Sequence, residues 1–175
     1  ASFVIMSDDM IKHKEQRVVV LIDVQNMYHS AKNLYQAKVN FEQILKAGVG
    51  ERKLIRAFAY VVRTESGEEQ AFFEALTNLG IETRVKDLKE YYGGLKKADW
   101  DVGITVDAIR SAPAVDTIIL VSGDGDFAPM VEYLKNRGKR VEAIAFGRSA
   151  SSELREEVDD FLDLEEDPKR FLIQN

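Results

Sequence analysis

Four aspartates in three separate stretches of this chain carry the chemistry its sequence offers. Asp23 follows the run Val18-Val19-Val20-Leu21-Ile22, Asp101 stands near a helix start, and Asp124 and Asp126 lie in the turn Ser122-Gly123-Asp124-Gly125-Asp126-Phe127. Carboxylates are hard oxygen donors of the kind that Mg²⁺ or Mn²⁺ prefers, and Mg²⁺ is commonly held by a few carboxylates together with water and substrate phosphate. An ion of this class lowers the pKa of a bound water and stabilises charge on a phosphoryl oxygen during in-line attack, which is the chemistry of phosphodiester hydrolysis. Asn26, three residues after Asp23, adds an amide able to orient a carboxylate, a water or a phosphate.

The elements that must position these groups alternate along the chain. Residues 18 to 22 form a continuous aliphatic run, the pattern of a strand buried on both faces. Helical spacing follows from Met27 to Lys46, with a break near Val39-Asn40. Residues 54 to 62 read as a strand, 68 to 79 as a helix closed by Gly80, and 81 to 85 as a third strand. The polar stretch 87 to 97, with Tyr91-Tyr92-Gly93-Gly94 inside it, reads as a loop. A helix from about 99 to 110, a strand at 118 to 121, a helix at 129 to 136 stopped by Gly138 and a strand at 140 to 145 complete the order. A small-residue loop at 147 to 152 leads to a short helix, an acidic tail from Asp159, and the apolar Phe171-Leu172-Ile173. This alternation predicts an α/β fold with a mainly parallel sheet and helices on both faces, and such sheets bind ligands beyond the carboxyl ends of their strands.

With 175 residues, 45% of them hydrophobic, the chain suffices for one domain with a substantial core. The absence of cysteine removes disulfides, thiolate nucleophiles and thiolate zinc sites, and fits a cytoplasmic location. No apolar stretch approaches the roughly 20 residues of a membrane helix, so no membrane association is expected. The net charge of −6 argues against a general electrostatic grip on nucleic acid but not against a local one, because the aspartates of the site contribute to it.

Three blocks together resemble the signature of the NYN domain, a member of the PIN-like nuclease superfamily: Ile22-Asp23-Val24-Gln25-Asn26, Lys97-Ala98-Asp99-Trp100-Asp101-Val102, and Ser122-Gly123-Asp124-Gly125-Asp126-Phe127. The resemblance covers about residues 17 to 165, with residues 1 to 16 read as a flexible lead-in and 166 to 175 as a C-terminal tail. It implies a three-layer α/β/α PIN-like fold and metal-dependent endonucleolytic cleavage of RNA with Mg²⁺ or Mn²⁺. It makes Asp23, Asp101 and Asp124 metal-site acids, Asp126 an additional acid and Asn26 a positioning group. Lys97 matches the basic residue ahead of the middle acid, and Asn26, Lys97 and Ser122 form the implied substrate-binding set. The middle block departs from the frequent Lys-Gly-small-Asp form, so either Asp99 or Asp101 is the inner ligand. The Asp-Val pair and Asp107 six residues on favour Asp101.

Plainer roles stand beside these. Asp23 and the turn at 122 to 126 are also what helix caps look like. Asp107 falls on a different helix face from Asp101, which gives it a structural role. Tyr91, Tyr92 and Trp100 either stack on bases beside Lys86, Lys89, Lys96 and Lys97 or serve as ordinary aromatic anchors. Arg63, Lys96, Lys97 and Arg148 are the candidates for phosphate contacts. His13 and His29 form neither a ligand pair nor a triad, and Ser122 lacks the Gly-x-Ser-x-Gly elbow of a nucleophile. Three functions compete: an endoribonuclease, an RNA-binding protein without cleavage, and another metal-dependent phosphohydrolase. The third loses ground because a haloacid dehalogenase places Asp-x-Asp after its first strand and a Toprim site wants a glutamate where this chain has Asp23. Residues 171 to 173 either cover the core or dock to another subunit of a homo-oligomer.

Overall fold

Val18, Val19, Leu21 and Ile22 are fully buried and Val20 nearly so, because strand β1 (Arg17–Asp23) has a strand on either side and helices on both faces. The structure is a computed structural model that describes residues 12–64, 66–67, 69–91, 95–97 and 99–174, with side chains left undescribed at 89–91 and 95–97. Most of the expected lead-in, residues 1–11, lies outside the described residues, as do Tyr92, Gly93, Gly94 and Ala98.

After β1 come helix α1 (Val24–Tyr35), the short strand β2 (Lys38–Val39), helix α2 (Phe41–Val49) and strand β3 (Lys53–Arg63). Helix α3 (Gln70–Asn78), strands β4 (Glu82–Asp87), β5 (Lys89–Tyr91) and β6 (Leu95–Lys97), and helix α4 (Asp101–Ser111) follow. The second half contains β7 (Thr117–Val121), α5 (Ala128–Asn136), β8 (Arg140–Ala145), α6 (Ser152–Glu157), β9 (Asp160–Asp163), α7 (Pro168–Phe171) and β10 (Leu172–Ile173).

Six strands form one sheet in the order β4-β3-β1-β7-β8-β9, and every neighbouring pair is parallel. In chain order this is 3-2-1-4-5-6, which reverses its direction of growth between β1 and β7. Alternate side chains of the continuous apolar strands serve opposite layers, as the period of two requires. Val18, Val20 and Ile22 pack with Met27 and Ala31 of α1, Ile44 of α2 and Leu76 of α3. Val19 and Leu21 pack with Ile104 and Ala108 of α4, Val131 of α5 and Leu154 of α6. The result is the three-layer α/β/α arrangement. Among the described residues no helix is long and apolar enough to cross a membrane.

Two regions differ from the sequence expectation, each where polar composition hides a strand. Residues 89–91 and 95–97, expected as loop, pair as an antiparallel ribbon. The acidic Asp160–Asp163, expected as tail, is the sixth strand, added in parallel to β8 at the sheet edge. β10 pairs antiparallel with β2 and buries Phe171 and Leu172 in the first core layer, so of the two fates open to the apolar C-terminal residues these two cover the core.

The half of the sheet opposite the strand ends that carry the aspartates is pinned by one buried ion pair. Arg52 donates from Nη1 and Nη2 to the Glu142 carboxylate at 2.9 and 2.8 Å, and also to the Gly48 and Val49 carbonyls that end α2. Arg140 adds a bond of 2.7 Å to the same carboxylate. Burial alone would raise the pKa of Glu142, but the bonds from Arg52 and Arg140 outweigh it and hold the group below the usual glutamate value. Its stabilising contribution is therefore present above the unfolded pKa and is lost as pH falls through the lower folded one. Glu142→Ala, which strands the Arg52 guanidinium, is expected to cost about 3–5 kcal/mol in urea unfolding at neutral pH. The gap to wild type should narrow in acid.

Candidate active site

Asp23 is the last residue of β1 and the N-cap of α1, accepting the Asn26 N–H at Oδ1 (3.3 Å). Its other oxygen, Oδ2, accepts the hydroxyl of Ser122 at 3.1 Å. Ser122 follows β7 directly, is fully buried, and accepts the Asp124 N–H at 3.2 Å. The Asn26 side-chain oxygen accepts the Gly123 N–H at 3.0 Å. Two hydrogen bonds thus tie the turn after β1 to the turn after β7, at the switch point where an open parallel sheet leaves a crevice.

A third turn supports the second. A Cβ on Gly123 would sit 3.0 Å from the Ala150 Cα, and one on Gly125 would sit 2.5 Å from Ser151 Oγ. The Ser151 N–H donates to the Gly123 carbonyl at 2.9 Å, and Ser149 donates to Ser30 of α1 at 3.0 Å. Both glycines are therefore demanded by close approach, and Asp124 is held at the head of a single 3-10 turn, Gly125–Phe127, where its Oδ1 accepts the Asp126 N–H at 2.9 Å.

Asp101 arrives from the other side of the sheet on the first turn of α4. The residue before it, Trp100, donates from its indole to the Val61 carbonyl of β3 (3.0 Å), packs its ring 5.5 Å from Tyr60, and leaves Gly103 no room for a Cβ. Lys86 lies 4.4 Å over the same ring and donates to the Asp99 carbonyl. Further along α4, Asp107 is buried and accepts from Tyr60 (2.7 Å) and Arg84 (2.9 Å). Of the two roles open to Trp100, anchoring is what these contacts describe, and Asp107 locks α4 to the sheet.

One carboxylate oxygen from each of Asp23, Asp101 and Asp124 lies within 4.8 Å of the others. Between the alternatives in the middle block, Asp101 is the one in this cluster. Asp99 and Asp126 are exposed at its rim, where both act electrostatically on Asp101. Ser122 lies behind Asp23 rather than at a surface that a substrate reaches, so its hydroxyl positions the carboxylates instead of contacting substrate. The side chain of Lys97, with those of Lys89, Tyr91 and Lys96, is outside the described residues. Arg63 pairs with Asp87 and Arg148 with Glu165, and both cations are exposed. His13 and His29 are exposed and belong to no carboxylate cluster. Composition and spacing gave no sign of the Ser122 to Asp23 bond, since its partners are 99 positions apart.

Burial pushes the Asp23 carboxyl up to about 6, against the lowering bonds from Asn26 and Ser122, with the Asp124 and Asp99 charges adding to the rise. Burial, then the charges of Asp124, Asp99, Asp23 and Asp126, push Asp101 up to about 7. Among the described residues no lysine or arginine forms an ion pair with any of the three clustered carboxylates. Crowded oxygen donors with unneutralised charge fit a hard divalent cation held by Asp23, Asp101 and Asp124.

Because both folded-state values are raised, the corresponding stability is full below the unfolded value of 3.8 and is lost as pH rises through about 6 and about 7. In the presence of a chelator, Asp101→Asn is therefore expected to melt above wild type at about pH 8, by roughly 2–4 °C once solvent screening is allowed for, and to converge with it only below about pH 4. Thermal scans across that range check the sign.

The NYN domain family matches residues 17–165. The chain is 27% identical over 158 residues to the low amplitude and bright protein LabA of Synechococcus elongatus, covering 86% of this chain and 85% of that one. It is 30% identical over 132 residues to an uncharacterized protein of Methanocaldococcus jannaschii, covering 74% of this chain and 48% of the relative. The crystal structure of a protein of unknown function from Vibrio parahaemolyticus superposes with a TM-score of 0.83 at 33% identity, covering 97% of this chain and all of that one. With the matched blocks at the carboxyl edge of a parallel sheet and three acids gathered there, the chain belongs to the NYN domain family of the PIN-like nuclease superfamily.

Proposed function

We propose that this protein is a metal-dependent endoribonuclease that hydrolyses internal phosphodiester bonds of single-stranded or loop RNA in the cytoplasm. The observation that carries the reading is the convergence of Asp23, Asp101 and Asp124 from three distant parts of the chain onto one small volume. Structural aspartates are satisfied by caps or cations. Here two act as caps, yet all three still crowd together without an ion pair among the described residues.

A Mg²⁺ or Mn²⁺ ion held by these carboxylates would activate water and stabilise the charge that develops on the phosphoryl oxygens. The protein's own groups supply the positioning. Ser122 and the Asn26 N–H fix the rotamer of Asp23 through one bond to each oxygen. The Asn26 amide, with its oxygen engaged by Gly123, retains its Nδ2 hydrogens as donors for a phosphate oxygen. In the hydrolytic step the water oxygen forms a bond to phosphorus and one phosphorus–oxygen bond to a ribose breaks. The exposed Asp126 carboxylate at the rim takes the proton from water, and the departing ribose oxygen takes one from solvent.

End-labelled structured and unstructured RNAs incubated with Mg²⁺, Mn²⁺ or chelator provide the test. Wild type is expected to give internal products only with metal, and Asp124→Asn to lose at least about 100-fold of that rate while keeping its fold. Folded wild-type protein that binds RNA in chelator but yields no internal products with either metal would favour an RNA-binding role without cleavage. Turnover of small phosphate esters with intact RNA would favour another phosphohydrolase.

A further inference from the structure

Residues 24–41 contain neither aspartate nor glutamate, in a chain that has 30 acids among 175 residues. This stretch begins immediately after Asp23 and includes all of α1. Met27 and Ala31 turn into the core, which leaves Tyr28, His29 and Lys32 exposed on the outer face at helical spacing. Tyr28 is 49% exposed. His29 meets it edge-on with ring centroids 5.5 Å apart, and the Lys32 ammonium lies 5.8 Å from its centroid.

Elsewhere the rim of the carboxylate cluster is acidic, with Asp99 exposed before α4 and Asp126 exposed before α5. A polyanion leaving the cluster meets an exposed carboxylate ahead of each of those two helices, with Lys86 beside Asp99, and none among the residues of α1 itself. The Tyr28 backbone lies about 7 Å along the helix axis from Asp23, and helical side chains tilt toward the N-terminus, which here is the carboxylate end. An exposed aromatic ring beside a cation is the platform on which unpaired bases stack without sequence preference.

We infer that the outer face of α1 is the track by which single-stranded RNA enters the carboxylate site, with an unpaired base stacked on Tyr28 and a phosphate against Lys32. This rests on the reading that the site acts on RNA. Double-stranded RNA keeps its bases stacked on one another and gains nothing from Tyr28, so the track selects single strands and loops.

Fluorescence anisotropy with a labelled single-stranded oligoribonucleotide in chelator, where the RNA stays intact, tests the track. Tyr28→Ala is expected to weaken binding about 5- to 100-fold, and Tyr28→Phe, which keeps the ring, to stay within about twofold of wild type. Lys32→Gln should lower the slope of log K against log salt by about 0.7. Tyr133→Ala, at an exposed tyrosine on α5, should change nothing, and melting curves should show all four variants folded. Tyr28→Ala binding as tightly as wild type, or Tyr28→Phe losing as much as Tyr28→Ala, overturns the stacking role while leaving the RNA reading in place. Wild-type protein that binds no RNA overturns the reading beneath it, and the track with it.

Discussion

Mutual repulsion among three carboxylates is the constraint around which the upper edge of this sheet is built. At 4.8 Å and an effective dielectric constant of about 20, each fully ionised pair costs on the order of 3 kcal/mol, and less where water reaches it. Carboxylates on mobile loops would relieve that cost by moving apart. Here they cannot, because Asp23 ends a strand bonded on both sides, Asp124 follows another, and the bonds from Ser122 to Asp23 and from Gly123 to Asn26 join the two ends. Burial first, and the neighbouring carboxylate charges second, raise the pKa values of Asp23 and Asp101 held in this way.

The topology explains why the cluster forms at this place. The first crossover leaves β1 for β3 on one side, whereas the chain leaves β7 for β8 on the other, so the two turns diverge and open a crevice between them. Nothing in that geometry supplies a third acid. Asp101 is delivered by α4, whose entry is set by Trp100 on the β3 carbonyl and by Asp107 on Tyr60 and Arg84. Presented on the first turn of its helix, the Asp101 charge is favoured by the helix dipole, a partial offset to its acidic neighbours.

These dependencies decide what could be read from residue order. The central strands were legible because a parallel strand covered on both faces must be apolar throughout, and Val18 to Ile22 and Thr117 to Val121 nearly are. Asp23 and Asp124 were legible as the acids at which such runs stop. Asp101 was accessible through the three-block resemblance, since a helix start beside a polar stretch carries no local mark of proximity to two strand ends. Edge elements were missed for the converse reason: Asp160–Asp163 and the ribbon of β5 and β6 are too polar or too short to show a period. The bond from the Ser122 hydroxyl to Asp23 is not legible at all, because the two residues are neighbours only in three dimensions.

Capping and the proposed metal binding, which look like rival roles for Asp23 and Asp124, would use different capacity of the same groups. An ionised carboxylate offers about four acceptor positions. Asp23 uses one on the Asn26 N–H and one on Ser122, while Asp124 uses one on the Asp126 N–H. The caps hold each side chain in a single orientation, and the remaining lone pairs are left for a cation. Asparagine at either position keeps an oxygen for the cap and removes the charge, whereas alanine removes both. The two substitutions therefore separate the folding role of these acids from the proposed chemical one, and that separation exists because the chain places these carboxylates at the points where its helical turns begin.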